Sequence, residues 1–216
     1  MGYAVVLAGP SAVGKTTVAN ALIESSERFE YIRSATSRPP RGDGNDSEYI
    51  YVSREEFLSM VDGSRILEYT EFDGNFYGTP LGEIERVLAE GKSPVMVLDT
   101  SGALAVKAKA NDFDAVVIYL YNDLSVMKER LYKRLESSRS EKNERVYYSR
   151  LEANKRDYRT LPERAHVFDA FIKTDELSAT VEQVLDVISN RASGKSNPQE
   201  ALKIARVLAA SADSDA

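Results

Sequence analysis

Eight residues near the start of the chain have the types and spacing to grip phosphate: Gly9-Pro10-Ser11-Ala12-Val13-Gly14-Lys15-Thr16. Glycines at the first and sixth positions let the backbone approach an anion closely. The lysine and hydroxyl that close the run supply a charge and a metal ligand. The pattern predicts a triphosphate surrounded by backbone N–H groups at a helix N-terminus. Lys15 would reach the β- and γ-phosphates, and the Thr16 hydroxyl would ligate Mg²⁺. Gly9, Ser11, Ala12, Val13, Gly14, Lys15, Thr16 and Thr17 are the candidate ATP contacts.

A second set of residues suits a smaller anion. Arg38 and Arg41 stand three apart around Pro39-Pro40, so two guanidinium forks can converge on one phosphate. Tyr49 and Tyr77 can each donate a phenolic O–H to the same oxyanion, and Glu68 offers two acceptor oxygens. A third, basic region runs through Arg130, Lys133, Arg134, Arg139, Lys142, Arg145 and Arg150. Arginines placed there can neutralise a phosphoryl group in transfer, whereas a solvated helix face explains part of the run equally well.

The elements that must position these groups follow from the apolar pattern. Tyr3 to Ala8 is an apolar run that stops at Gly9-Pro10, as a buried parallel strand would. Similar runs recur at Pro94–Leu98 and Ala115–Leu120, with a weaker one at His166 to Ile172. Helical patterns at Pro80–Glu90, Ala103–Lys109, Asn122–Leu135 and Val146–Tyr158 separate them. Alternating strands and helices imply an α/β fold, a parallel sheet with helices on both faces. Between about Ala35 and Tyr77 short strand-like pieces, with Asp73-Gly74 as a hairpin signal, predict an inserted antiparallel lobe. The polar stretch Glu136 to Arg145 has no apolar period and reads as a flap between two helices. A helix near Glu176–Arg191, a linker at Ser193–Pro198, a short helix over Ala201–Ala210 and a polar tail complete the chain.

Composition narrows the function classes. The 216 residues contain no cysteine, which excludes disulfides, cysteine zinc sites and thiol catalysis, and a single histidine, His166. One histidine also leaves no basis for a multi-histidine metal site. A formal net charge of −6 argues against a general binder of nucleic-acid polymers. No apolar run approaches the ~18 residues that span a bilayer, and the N-terminus lacks a signal-peptide pattern, so a cytoplasmic protein without a membrane partner is expected.

Four elements resemble the guanylate kinase family: Ser34-Ala35-Thr36-Ser37-Arg38-Pro39-Pro40-Arg41, Glu48-Tyr49-Ile50-Tyr51-Val52-Ser53, Ile66-Leu67-Glu68-Tyr69 and Gly74-Asn75-Phe76-Tyr77-Gly78-Thr79. They follow the phosphate loop in order, and the resemblance extends to about Leu177. It implies a P-loop kinase core over residues 1–34 and 78–192, with a helical lid at about 136–150. An inserted nucleoside-monophosphate lobe would cover 35–77, and 193–216 would be an appended tail. The implied acceptor is GMP, with dGMP beside it, and the implied donor is ATP with Mg²⁺. Guanine presents N1–H and N2–H₂ side by side, so Glu68 could accept from both, whereas adenine has no donor there.

Resemblance further implies guanine contacts from Ser34 and Thr79, and places Asp99 near the base and the active centre. The GMP set is therefore Ser34, Arg38, Arg41, Tyr49, Glu68, Tyr77, Thr79 and Asp99. Lys15, Arg38, Arg41, Arg134 and Arg150 carry the transfer, and Arg130 joins the ATP contacts. The pattern is departed from at Ala12, where a glycine is usual, at Val97 and Ser101 beside Asp99, and at Thr174, where the family places an asparagine against adenine. Two other readings stay open: a kinase of another phosphorylated acceptor such as ribose 1,5-bisphosphate, and a non-catalytic protein-binding module of the same fold.

Overall fold

A computed structural model describes residues 2–40, 49–72, 74–109, 113–136, 140–190 and 198–214. In chain order the first half contains β1 (Ala4–Ala8), α1 (Lys15–Ser25), β2 (Phe29–Tyr31), β3 (Ser34–Thr36), β4 (Tyr49–Tyr51), α2 (Arg54–Asp62), β5 (Ile66–Phe72) and β6 (Asn75–Pro80). The second half contains α3 (Leu81–Ala89), β7 (Ser93–Val97), α4 (Thr100–Ala108), β8 (Ala115–Tyr121), α5 (Leu124–Glu136), α6 (Glu141–Arg164), β9 (Ala170–Lys173), α7 (Leu177–Asn190) and α8 (Pro198–Ser214).

The main sheet is parallel, in the order β2-β7-β1-β8-β9. Every residue of β1 is buried and β8 is buried between its ends, which is why both read as unbroken apolar runs in the sequence. Val18 and Leu22 of α1, Ile84 and Val87 of α3, Val106 of α4 and Met127 of α5 pack into the same core. Phosphate-binding loops emerge at the C-terminal ends of such strands, and here β1 delivers Gly9 and β7 delivers Asp99 to one edge.

The second sheet runs β4-β3-β6-β5. Its β3/β6 and β6/β5 pairs are antiparallel, as expected, and β4 adds alongside β3 in parallel. Gly74, at φ 77°, turns the β5–β6 hairpin. The β5/β6 register shifts between the Ile66–Pro80 and Tyr69–Gly78 pairs, so Leu67 and Glu68 together face Thr79. One extra residue on one strand is a bulge, and a bulge re-aims side chains. Leu67 goes into the main core while Glu68 turns toward Thr79.

Several boundaries differ from the sequence expectation. Helix α2 was not anticipated, although Ser53-x-x-Glu56 closes a full capping box: Ser53 Oγ accepts from Glu56 N–H, and the Glu56 carboxylate accepts from Ser53 N–H. In the stretch read as a flap, the described residues from Glu141 to Arg145 are helical, because Ser140 caps Asn143 N–H and starts α6 at Glu141. Helix α6 runs 24 residues to Arg164, past the expected end at Tyr158. The C-terminal helix extends from Pro198 to Ser214, through part of the expected polar tail. Its end is held by Arg159, which donates to Asp213 and to the Ala212 carbonyl. The expected strand at His166 begins later, at Ala170, with His166 in a 3₁₀ turn.

Candidate active site

The loop between β1 and α1 holds three left-handed residues, Gly9 (φ 138°), Ala12 (φ 63°) and Gly14 (φ 112°). At Gly9 a Cβ would fall 2.2 Å from the Leu120 carbonyl oxygen, so only glycine fits against β8. Ala12 carries the strain that glycine would avoid, on the order of 1 kcal/mol. Its methyl group packs with Leu131 and Tyr147 between α5 and α6. Buried Asn154 of α6 clamps the loop from outside: its Oδ1 accepts from Ser11 N–H at 2.8 Å and its Nδ2 donates to Ser11 O at 3.0 Å.

Lys15 Nζ donates to the Gly9 and Pro10 carbonyls at 2.7 and 2.9 Å. Burial lowers its pKa to about 8, Asp157 and Asp99 oppose that shift, and Arg134 and Arg150 add to it. Thr16 and Thr17 are exposed on the first turn of α1. Arg130 crosses from α5 to the loop, donating to Val13 O at 2.9 Å and to Ala12 O at 3.4 Å, and to Thr174 O at 3.3 Å. Lys15 lines one cleft, whereas Ala12, Val13, Thr17, Arg130 and Thr174 border a separate cleft of about 380 Å³ that also touches Lys133, Arg134 and Leu177. Thr174 does not present its hydroxyl to that cleft as a donor, because Oγ1 donates to Val13 O at 2.6 Å.

On the other side, the inserted lobe assembles the expected acceptor residues in two groups. Glu68 Oε1 accepts from the buried Thr79 hydroxyl at 2.7 Å. Burial raises the Glu68 pKa; the Thr79 hydrogen bond opposes the rise and the Asp99 charge adds to it. Asp99 thus lies within electrostatic reach of both Glu68 and Lys15. It caps α4, with Oδ1 accepting from Gly102 N–H at 2.8 Å. Ser34 sits on β3, paired in register with Tyr49.

The second group surrounds Arg38, which is 8% exposed. Its guanidinium donates to Pro39 O at 3.0 Å and to Tyr51 Oη at 3.1 Å, with Cζ 5.4 Å from the Tyr49 ring centre and 5.6 Å from that of Tyr51. The Tyr49 and Tyr77 rings meet edge-on at 6.1 Å. Arg41 and Arg139 lie outside the described residues. Arg134 on α5 and Arg150 on α6 both reach solvent; partial burial of the Arg150 guanidinium, followed by the Arg134 charge, depresses the Arg150 pKa. Arg145 is exposed on α6.

Three contributors escaped the sequence reading. Asn154 and Tyr51 are described above. The third is Asp157, which shares with Lys15 and Asp99 a cleft of about 310 Å³ on the opposite flank of the loop. Its carboxylate accepts from Thr100 Oγ1 at 2.5 Å and Tyr119 Oη at 2.6 Å. Tyr51 carried a weak signal, since it shares a strand face with Tyr49 two residues away. For Asn154 and Asp157 no local pattern exists.

The arrangement sets the β1–α1 loop with Lys15 on one side, and on the other a half-buried carboxylate, Glu68, and a guanidinium among phenols, Arg38 with Tyr49 and Tyr51. A family model described as guanylate kinase matches residues 1–191. A guanylate kinase of Lactobacillus delbrueckii subsp. bulgaricus is 42% identical over 133 residues, 60% of this chain and 64% of that protein. One from Enterococcus faecalis is likewise 42% identical over 133 residues, with the same coverage of 60% and 64%. The chain therefore spans less than two thirds of the length of these curated relatives. The crystal structure of guanylate kinase from Anaplasma phagocytophilum superposes with a TM-score of 0.57 at 27% identity, covering 91% of this chain and 88% of that one.

Proposed function

Since the chain belongs to the guanylate kinase family, we propose that it transfers the γ-phosphoryl group of ATP to GMP, and to dGMP, giving ADP and GDP or dGDP. The observation that carries this reading is the position of Asp99 between Lys15 and Glu68. It lines one cleft with Lys15 and accepts from the N–H of Gly102, the residue against which the Glu68 side chain packs while Glu68 accepts from Thr79. A base-free sugar phosphate has no use for a half-buried Glu68 held by Thr79, which is why GMP is favoured over ribose 1,5-bisphosphate.

In this reading Arg38, with Arg41, Tyr49 and Tyr77, holds the acceptor phosphate, and Ser34, Glu68, Thr79 and Asp99 hold guanine. Gly9 to Thr17 and Arg130 hold the donor. Lys15, Arg134 and Arg150 neutralise the transferring group, while the acceptor phosphate, already anionic, attacks in line without a general base. Residues 35–77 form the acceptor lobe and 136–150 the lid on a core of 1–34 and 78–192, with 193–216 appended. Among the described residues no cluster of three or more acidic, histidine or cysteine side chains is present to hold a cation alone. An exposed Thr16 hydroxyl on the first turn of α1 fits Mg²⁺, whose other ligands are then phosphate oxygens and water. Bound there, the ion offsets charge on the β- and γ-phosphates.

No helix among the described residues is long and apolar enough to cross a membrane. We place the enzyme in the cytoplasm, with nucleotides and no nucleic-acid polymer or membrane as partners. The test is ADP release from MgATP with GMP, dGMP, AMP, UMP, CMP and ribose 1,5-bisphosphate in parallel. Turnover should be confined to GMP and dGMP and be abolished in Lys15→Ala. Equal turnover of AMP and GMP would defeat the role given to Glu68, and an active Lys15→Ala would defeat that of the loop.

A further inference from the structure

The cleft of about 380 Å³ beside the phosphate loop has walls of Ala12, Val13, Val18 and Leu177, and two buried hydroxyls, Thr174 and Thr180. Both hydroxyls are already engaged by the protein. Thr174 Oγ1 donates to Val13 O at 2.6 Å and accepts from Asn122 Nδ2 at 3.2 Å. Thr180 Oγ1 donates to Glu176 O at 2.7 Å. The guanidinium of Arg130 is spread over the Val13 and Thr174 carbonyls, and Lys133 pairs with Glu129 at 2.6 Å. The remaining carboxylate on the rim, Asp175, is exposed and shares Lys173 at 3.4 Å.

A site rejects a wrong base by large factors when buried polar groups would be left unpaired by it. In this cleft both buried side-chain hydroxyls have partners before any base arrives, so a wrong base leaves neither of them unpaired. An exposed carboxylate discriminates weakly, because water replaces a lost hydrogen bond there. Apolar walls and a flat guanidinium accept any base by contact and stacking. The phosphate loop, by contrast, is built in detail, with Thr174, Asn122 and Arg130 all serving to fix its Val13 carbonyl.

We propose that the donor side selects the triphosphate and not the base, so that GTP, CTP and UTP phosphorylate the acceptor alongside ATP. This rests on the guanylate kinase reading and concerns its donor subsite. The chemistry is unchanged: the bond from the γ-phosphorus to the β,γ-bridging oxygen breaks, a bond to a GMP phosphate oxygen forms, and the nucleoside diphosphate leaves with the electron pair. Thr174 is then a positioning residue for the loop and not a reader of adenine.

The experiment follows conversion of labelled GMP to labelled GDP by the full chain, with ATP, GTP, CTP or UTP as the magnesium complex. The kcat/KM values should agree within about tenfold. A preference for ATP over both GTP and UTP greater than tenfold overturns the proposal. Thr174→Val should lower kcat/KM for every donor by the same factor, because the loop is loosened equally for all, and a selective loss of ATP would overturn it as well. The ratio between donors is an internal control if the variant is partly unfolded. Failure of every donor to label GDP would sink the parent reading instead, so the two failures are distinguishable.

Discussion

Replacing Glu68 by glutamine removes a charge and almost no volume, and it separates recognition from stability. In the native cleft Oε1 is ordered by the Thr79 hydroxyl at 2.7 Å. Guanine can therefore meet an aligned carboxylate with two donors, and hydrogen bonds to a charged acceptor contribute about 1.5–3 kcal/mol each. In the glutamine variant the amide oxygen stays on Thr79 and the NH₂ group faces a donor of the base. One charge-assisted bond is lost and the other weakened, about 3 kcal/mol in all, or a roughly hundredfold fall in kcat/KM for GMP. The assay compares GMP with inosine monophosphate, which lacks the 2-amino group. The native protein should prefer GMP by at least about tenfold, and the variant should narrow that ratio to about threefold.

Stability should move the other way. Because burial raises the Glu68 pKa, the ionised carboxylate opposes folding at neutral pH, and that opposition is absent below the ordinary carboxylate range. Glu68→Gln should therefore melt no lower than the native protein at pH 7, with the difference shrinking as the pH falls. An unchanged GMP-to-inosine-monophosphate ratio in a well-folded variant would refute the reasoning.

Asn154→Ala removes both clamps on Ser11 and should lower stability by about 2 kcal/mol in urea titration. It should raise KM for MgATP about tenfold while leaving KM for GMP within about twofold. The acid limb of kcat/KM for GMP should lie above the usual carboxylate range, falling as Glu68 gains its proton, and should vanish in Glu68→Gln. Ser53→Ala removes half of the α2 capping box and should cost about 1 kcal/mol by urea titration, with unchanged KM values.

The phosphate loop was readable because its chemistry is contiguous: eight residues carry the glycines, lysine and hydroxyl, and the apolar strand before them sets the context. Asp99, at the end of β7, was legible only through family resemblance, since many parallel strands end in an acid. The orientation of Glu68 depends on a bulge, which no residue between Ile66 and Tyr69 announces. Asn154 lies 143 positions from the residue it clamps, and Asp157 is 38 from Tyr119 and 57 from Thr100. Such partners are set by how α6 packs, not by spacing. The starts of α2 and α6 were different failures, because Ser53 and Ser140 were present as capping signals and the polar composition after Ser140 outweighed its signal.

One consequence of α6 is mechanical. The helix is about 36 Å long, and its C-terminal half is pinned by Tyr158, whose phenol donates to Asn122 O at 2.6 Å, and by α8. Asn154 couples it to the donor loop, while Arg150 sits one turn nearer the other end. A tilt of about 5° at the pinned half displaces the far tip, some 20 Å away, by about 2 Å. The helix is in effect an oar with its rowlock at the phosphate loop, so under the proposed transfer any shift of that loop is carried along one body to Arg150.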